Sequence, residues 1–554
     1  MTGPVGGADA SSAPGVARPH WMVLTVLCVA VLVVNLDNTI LNVALPTLVR
    51  NLGATTDGLQ WIVDAYAMAF GGLLLVGGSL ADRFGRRRFF VLGLAVFGGG
   101  SLGAAFSGSV GTLIAWRAVM GAGAAMTIPS GLSIVNDLFR MAQARARAIG
   151  IWSGTIGLGI AIGPVAGGLL LSRFWWGSVF FVNVPVVVLG IVGTLVFVPE
   201  SRSSSPKRPD PAGSVHSIVG LGLVLWAIIE GPTRGWASGQ VLGVGVAGLV
   251  VVAGFVAWER AIDHPMLPLV FFRSRRFSVA IVSVGLGLFA LFGGLFIMTQ
   301  FLQFFLGYTP LGAGLRILPI AGILACGALV SPPGVRMIGT KLVAALGLLA
   351  IVGGLVQIAV VSTVSATYPS ELPGMLLIGL GAGLLVPAAI DSVLGAVTQA
   401  DAGVGSAANS TAMQIGGAIG VAVIGSVLST RYRGAMQQAI AGRLVPAGAA
   451  HAILGSIGGA LGVAHVVGGA LGAELTRAAL DAFATGSRTA LVVGAFVTGA
   501  GVLVALAALP SRARPKGEIL SRPAGRRVPG SADPPRSLGR PGGLGPLPDP
   551  GERR

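Results

Sequence analysis

The sequence predicts an all-α polytopic membrane protein with fourteen membrane-crossing helices in a six-plus-two-plus-six order and both termini on the cytoplasmic side. Three observations carry that prediction. Charged residues make up only 10% of the 554 residues and hydrophobic ones 53%, with a mean hydropathy of +0.84, whereas an ordinary soluble domain carries about 25% charged residues. Fourteen apolar runs each approach the ~20 residues a helix needs to cross the hydrocarbon core. Basic residues cluster in alternate loops between those runs, which is a topology signal.

Taken in order, the runs are 21–43, 59–80, 89–107, 111–135, 148–171, 179–198, 215–231, 240–258, 277–304, 313–333, 341–363, 372–395, 404–429 and 489–509. A tail, 1–20, precedes a first six-helix bundle over 21–198. Two polar linkers, Ser201–Ser214 and Glu259–Arg276, bracket an inserted helix pair (215–231 and 240–258) within 199–276. A second bundle follows over 277–509, with a long outer loop at 430–488 whose Gly/Ala-rich middle, Ala450 to Leu471, suits an extracellular or membrane-dipping hairpin better than a fifteenth span. The tail 510–554 is rich in Pro, Gly and Arg and poor in large apolar residues, which predicts a disordered cytoplasmic segment able to touch anionic lipid.

Arg83, Arg86, Arg87 and Arg88, then Arg140, Arg145 and Arg147, then Arg202, Lys207 and Arg208, then Arg260, Arg273, Arg275 and Arg276 fall in even-to-odd loops, and the opposite loops hold little beyond Arg50, Arg173 and Arg234. The positive-inside rule then places both termini in the cytoplasm. The same distribution accounts for the net charge of +17 without nucleic acid, since ten of the 37 basic residues lie in the last 43 positions. No small-residue cleavage site follows the first run, so it reads as a retained span. Cys28 and Cys326 lie in apolar runs, which predicts packing roles and neither a disulfide framework nor a metal site.

The most informative stretch is Gly78-Ser79-Leu80-Ala81-Asp82-Arg83-Phe84-Gly85-Arg86-Arg87-Arg88, a dense charge cluster between two apolar runs. Its order of Gly, Asp, Arg, Gly and Arg resembles the signature loop between helices 2 and 3 of the major facilitator superfamily, which implies the major facilitator fold. A degenerate echo, Pro333-Gly334-Val335-Arg336-Met337-Ile338-Gly339-Thr340-Lys341, stands in the equivalent place of the second half without the Asp, as expected of an internal duplication. That echo nearly spells a phosphate-binding loop, but Thr340 and Lys341 come in the wrong order and no soluble strand precedes it, so nucleotide binding is excluded. The resemblance further implies that Asp82 and Arg86 pair with charges or helix ends at a cytoplasmic gate, with Asp137 as partner for Arg86, and so stabilise an outward-open state.

An ionisable side chain at the centre of a membrane helix costs about 2.5–3.5 kcal/mol on the insertion scale, so each one asks for a function or a partner. Asp37, Asp64 and Arg117 are the clear cases. The run Asn35 to Pro46 around Asp37 looks like the first-helix motif of the fourteen-helix drug:proton antiporters, and Trp61-Ile62-Val63-Asp64-Ala65-Tyr66 matches the second-helix motif of the subgroup that exports quaternary ammonium compounds. Burial favours the neutral form of a carboxylate, so either Asp is a candidate proton carrier. Arg117, in a stretch like the family's helix 4 motif, is implied in proton transfer, because a nearby cation favours the charged carboxylate and ties proton release to conformation. Trp61, Asp64 and Met68 share one helix face, offering an aromatic surface and a carboxylate to a lipophilic cation.

In the fifth run Gly159, Gly163 and Gly167 recur every four residues, with Pro164 and Gly168 beside them. The glycines predict close helix packing and the proline a bend, and the whole resembles the antiporter motif of the family's exporters. Trp175 to Pro185 resembles the start of helix 6 in the same subgroup. Glu230 and Asp391 stand near helix ends, where solvation is cheap, and are expected to be structural. The run Ile317 to Val330 lacks the extra carboxylate of the broadest quaternary ammonium exporters, which disfavours divalent cations. Gln300, Gln303 and Gln414 with Phe304 and Met413 are candidate substrate contacts that suit neutral amphiphiles as well.

The resemblance thus implies a proton-coupled exporter of lipophilic, cationic drugs at the plasma membrane, driven by the proton gradient with no cofactor and no metal, its partners being a small lipophilic substrate, protons and the bilayer, and its expected state a monomer. The alternatives are a dedicated exporter of an endogenous natural product and a non-transporting membrane sensor. An enzyme is disfavoured by the lack of HExxH, Walker and nucleophile-elbow motifs.

Overall fold

Backbone amides find no water in hydrocarbon, so each apolar run must close its hydrogen bonds on itself as a helix. The computed structural model describes residues 18–139, 141–203, 209–263, 265–363, 365–398 and 401–510, and contains helices but no strand among them. Fourteen of its helical segments are long and apolar enough to cross a membrane. The tail residues 1–17 and 511–554, and Arg140, Lys207 and Arg208, fall outside the described residues.

The first bundle comprises α1 (Arg18–Leu52), α2 (Thr56–Phe84), α3 (Arg86–Ala105), α4 (Val110–Leu138), α5 (Ala142–Arg173), the single turn α6 (Ser178–Phe181) and α7 (Asn183–Phe197). The inserted pair is α8 (Pro211–Arg234) and α9 (Gly239–Ala261). The second bundle comprises α10 (Arg275–Gln300), α11 (Pro310–Ile338), α12 (Thr340–Val361), α13 (Tyr368–Leu394), α14 (Ala402–Ile440), the short α15 (Ala447–Gly455) and α16 (Ile457–Val467), and α17 (Gly469–Ala508). A π-helical turn at Phe301–Phe305 extends α10.

Starts are set by side-chain caps: Thr55 accepts from the Gly58 amide, Ser109 and Thr112 form a reciprocal box, and Asp210, Ser238, Ser274, Thr309 and Ser456 cap in the same manner. The two signature-type loops end and restart a helix on one glycine each, Gly85 at φ 122° and Gly339 at φ 86°. Both conformations disfavour a Cβ, and their equivalent placement supports the duplicated halves.

Within the first bundle α2 packs on α4, α3 on α4 and α1 on α5 and α7; within the second, α10 packs on α14, α11 and α12 on α13, and α17 on α12 and α14. Small residues let these backbones approach: a Cβ at Gly123 would stand 2.5 Å from the Phe97 amide nitrogen, and one at Gly416 would collide with the Gly285 carbonyl. The halves meet where α2 packs on α14 and α5 on α11. The inserted α8 lies across the first of these seams, touching both α2 and α14, while α9 packs on α8.

Two expectations are corrected. The outer loop is shorter than 430–488, because α14 runs on to Ile440 and α17 starts at Gly469. Ala-rich sequence keeps the helix going after hydropathy has fallen. What remains is a helical hairpin, α15 and α16, whose Ile453, Ile457, Ala460 and Ala464 are buried. Of the cysteines, Cys28 packs in the interior, but Cys326 is exposed on α11.

Candidate functional site

Asp37 lies on α1 with 1% of its surface exposed, and Arg117 on α4 is fully buried. One Asp37 oxygen accepts from Arg117 Nη1 at 2.6 Å, and the other accepts from Asn183 Nδ2, at the start of α7, at 2.9 Å. Asn183 Nδ2 also reaches Ser101 Oγ on α3 at 3.1 Å. Arg117 in turn donates through Nε to the Ile62 carbonyl on α2 at 3.1 Å and stacks over the Tyr66 ring, 4.3 Å from its centroid. Five helices of the first bundle therefore converge on one charged pair, Asp37 with Arg117, which names the carboxylate that the sequence left open.

Asp64 presents the opposite case. It is fully buried on α2, yet neither carboxylate oxygen has a hydrogen-bond partner among the described residues. Its neighbours on the expected face, Trp61 and Met68, pack with Ala67 against Leu225 and Ile229 of α8 and Ala418 and Ala422 of α14. A cavity of about 380 Å³ lies beside them, lined by Trp61, Val219, Gly222, Leu223, Trp226 and Val244. The face predicted from spacing is real, but Trp61 and Met68 meet the inserted helix.

The second-half candidates do not gather with Asp37 or Asp64. Gln300 donates to the Phe296 carbonyl of its own helix at 3.1 Å, while Gln303 crosses to the Val43 carbonyl of α1 at 2.8 Å. The Phe304 ring fills the space beside Gly458 of α16 and lies 5.7 Å under the Arg50 guanidinium. Met413 takes a contact from Asn409 Nδ2 at 3.5 Å, and Gln414 packs its Cβ beside Gly71 of α2.

The glycines of α5 pack as their spacing predicts. Cβ atoms added at Gly159, Gly163 and Gly167 would press on Asn35, Thr39 and Ile40 of α1, and Thr39 Oγ1 donates to the Gly159 carbonyl at 3.1 Å. On the adjoining face, Gly168 abuts Pro310 and Leu311 of α11, and the Pro164 carbonyl sits against Gly314. The motif thus joins α1 and the second bundle at once.

In the signature loop Arg86 Nε donates to Asp82 at 2.8 Å and Arg86 Nη1 stands 3.5 Å from Asp137, as expected. Arg83 is exposed over the Phe84 ring, and Gly78 faces Pro129 of α4. Sequence reasoning missed Glu200: its Oε1 accepts from the Arg87 amide at 3.1 Å, its Oε2 lies 3.6 Å from Arg88, and its carboxyl fills the space a Cβ on Gly85 would take. The signal was an acid directly after Val198-Pro199 at the end of α7. Glu230 pairs with Arg234 at 2.8 Å and Asp391 with Arg276 at 3.5 Å.

Contacts between the halves lie toward the face that carries the α1–α2 turn. Gln60 Nε2 donates to the Val421 and Ala422 carbonyls at 3.0 and 2.8 Å and to Ser426 Oγ at 3.3 Å. Thr56 Oγ1 donates to the Gly455 carbonyl at 3.0 Å, and Tyr432 holds the hairpin through the Ile453 and Ser456 carbonyls, each at 3.1 Å. Together with Gln303 and the α5–α11 contact, these tie the halves at that face, and Thr411 Oγ1 adds a bond to the Gly71 carbonyl at 3.4 Å midway along α2.

The Major Facilitator Superfamily model matches residues 27–421. Among curated proteins the chain is 34% identical over 412 residues to the multidrug resistance protein Stp of Mycobacterium tuberculosis, covering 74% of this chain and 76% of that one. It is 33% identical over 492 residues to the multidrug efflux pump LfrA of Mycolicibacterium smegmatis, covering 88% and 96%. It is also 33% identical over 426 residues to the tetracenomycin C resistance and export protein of Streptomyces glaucescens, covering 77% and 79%. Among solved structures, a bacterial homolog of the human lysosomal transporter Spinster in an inward-facing, unoccupied conformation superposes with a TM-score of 0.62 at 18% identity, covering 90% of this chain and 98% of that chain. With the fold, the signature loop and these relatives in agreement, the chain belongs to the major facilitator superfamily, a family of transporters and not of enzymes.

Proposed function

We propose that this chain exports lipophilic, cationic drugs across the plasma membrane in exchange for protons. The observation that carries the reading is the pair of buried carboxylates, Asp37 held by Arg117 and Asn183, and Asp64 bare at the seam between the halves. Exchange needs a group that is neutral in one conformation and ionised in another, and a charge without partners is tolerated only where water or a cation can reach it. Rocking of the halves about the α2–α14 and α5–α11 seams supplies that change of surroundings. The distribution of basic loops supports reading the joined face as the outer one and the conformation as closed outward. Drug export is supported by the names of the relatives, and the α5 glycine motif fits an exporter. The driving force is the proton gradient, with no cofactor, and the functional unit is a monomer.

A second reading, export of one natural product, is favoured by the Streptomyces relative named for tetracenomycin C and by the lack of a carboxylate between Ile317 and Val330. The test is proton flux in vesicles holding the purified protein at a preset pH gradient, with ethidium added. Flux in wild type that is lost in Asp37→Asn and Asp64→Asn is the expected result. Flux unchanged in both would remove the carboxylates from the mechanism. No flux with ethidium but flux with an uncharged polyketide would move the assignment to the second reading.

A further inference from the structure

Gln60 sits four residues before Asp64 on α2, so the two side chains are neighbours on one helix face, with about 5–6 Å between their Cβ atoms. Each is buried; among the described residues Gln60 is half-satisfied and Asp64 has no partner at all. The Gln60 amide nitrogen is committed to the second bundle through Val421, Ala422 and Ser426, and two carbonyl acceptors fix which end of the amide points there. Among the described residues its oxygen, Oε1, has no donor, and one turn away neither oxygen of Asp64 has a partner. An orphan acceptor beside an orphan carboxyl is complete in one protonation state alone. An acid form could donate its O–H to Gln60 Oε1, whereas a carboxylate would set acceptor against acceptor.

We propose that Gln60 is a positioning residue that reads the proton on Asp64 and passes it to the seam between the halves. A proton from the outer water adds to Asp64; the resulting O–H donates to Gln60 Oε1, orients the amide, and holds its N–H groups on the α14 carbonyls, keeping the outer face closed. Loss of that proton from Asp64 to the inner water reverses these steps and loosens the outer seam. The sign suits exchange, because the protonated carrier is the one that must turn away from the outside. This inference rests on the proposed proton-coupled export. Other titratable and charged groups on the surrounding elements include Asp37 on α1, Arg117 on α4, Glu230 on α8, Arg433 on α14, His451 on α15 and, on α2 itself, Tyr66 and Asp57. Asp37 and Arg117 are bonded to each other, with Arg117 Nη2 left without a partner among the described residues; Tyr66 lies under the Arg117 guanidinium, and Glu230, Arg433 and His451 act on Asp57, two turns nearer the outer end of α2.

The test is the distance between spin labels on the outer loops, at Gly108→Cys and Ser365→Cys, in full-length protein in vesicles with Cys28→Ser and Cys326→Ser. In wild type the ratio of outward-open to outward-closed molecules should rise about tenfold as pH is raised, the size of one hydrogen bond gained or lost. Gln60→Leu should raise the ratio and abolish its dependence on pH. A Gln60 that merely glues the seam would raise the ratio and leave the pH dependence intact, which overturns the proposal. If Gln60→Leu does not fold, Asp64→Asn and Asp64→Leu decide: the amide donates at every pH and should stay closed, the leucine cannot and should open, and equal ratios overturn the proposal. Ethidium-driven proton flux, measured in the same vesicles, separates the two levels. Flux with a pH response that survives Gln60→Leu removes the latch and keeps the export reading; no flux in wild type with any compound removes both.

Discussion

Asp37 and Asp64 stand on adjacent helices of one bundle, both buried to within 1% of full, and are surrounded in opposite ways. Every oxygen of Asp37 has a donor, one of them a guanidinium, and the pair draws α1, α2, α3, α4 and α7 together. Asp64 has none among the described residues and lies on the stretch of α2 that meets α14. The difference teaches that burial alone does not define a proton site. A carboxylate with a donor on each oxygen also pins the first bundle, so protonating it must break a bonded pair, whereas a carboxyl without partners gains or loses a proton without breaking one.

The largest effect expected from breaking this contrast is at the pin. Arg117→Met leaves Asp37 buried without its cation, and should destabilise the folded protein by about 3–5 kcal/mol, as removal of one partner of a buried pair does. Asp37→Asn should be similar, with Arg117 now the uncompensated charge. The double variant Asp37→Asn with Arg117→Met should recover part of the loss, because no buried charge remains. Thermal unfolding in detergent measures all three. Additive losses in the double variant would mean that the two side chains are not coupled and that the pin is held by its uncharged neighbours.

A smaller effect sharpens the comparison by moving the same kind of compensation to the water face. Glu200 is also surrounded by donors, the Arg87 amide and the Arg88 guanidinium among them, but 24% of its side chain is exposed. Solvent and salt screen such a pair, so Glu200→Gln should cost about 1 kcal/mol or less, and the loss should shrink as salt is raised. An effect as large as that of Arg117→Met would show that the signature loop, and not the buried pair, fixes the first bundle.

The fold was legible because a helix that crosses a membrane is specified by length and apolarity, which are local. Helix ends were less so. The polar residues Arg431, Arg433, Gln437 and Gln438 at the end of α14, and Glu474, Arg477 and Asp481 at the start of α17, lower hydropathy without stopping an alanine-rich helix. At the site, Asp37, Asp64 and Arg117 stood out as charges in apolar runs. Asn183 and Gln60 did not, because an uncharged amide is ordinary in a membrane helix until its partners on other helices are known. Trp61 and Met68 were read onto the correct face of α2, but periodicity within one helix carries no information that α8 covers it.

The smallest expected change in stability is at the bare carboxyl. Asp64→Asn replaces one buried group without protein partners by another of the same shape, so nothing formed in the folded state is lost, and the change should stay within about 0.5 kcal/mol. The amide carries no charge at any pH, so it also removes whatever penalty an ionised Asp64 would impose at high pH. Thermal unfolding of wild type and Asp64→Asn should therefore agree at low pH, with the variant becoming relatively more stable as pH rises through the ionisation of the carboxyl. A loss of several kcal/mol at low pH would mean that Asp64 holds a partner in the folded protein after all, and the contrast with Asp37 would collapse into two pins. Unchanged stability together with lost proton flux would place Asp64 in the transport cycle and outside the scaffold.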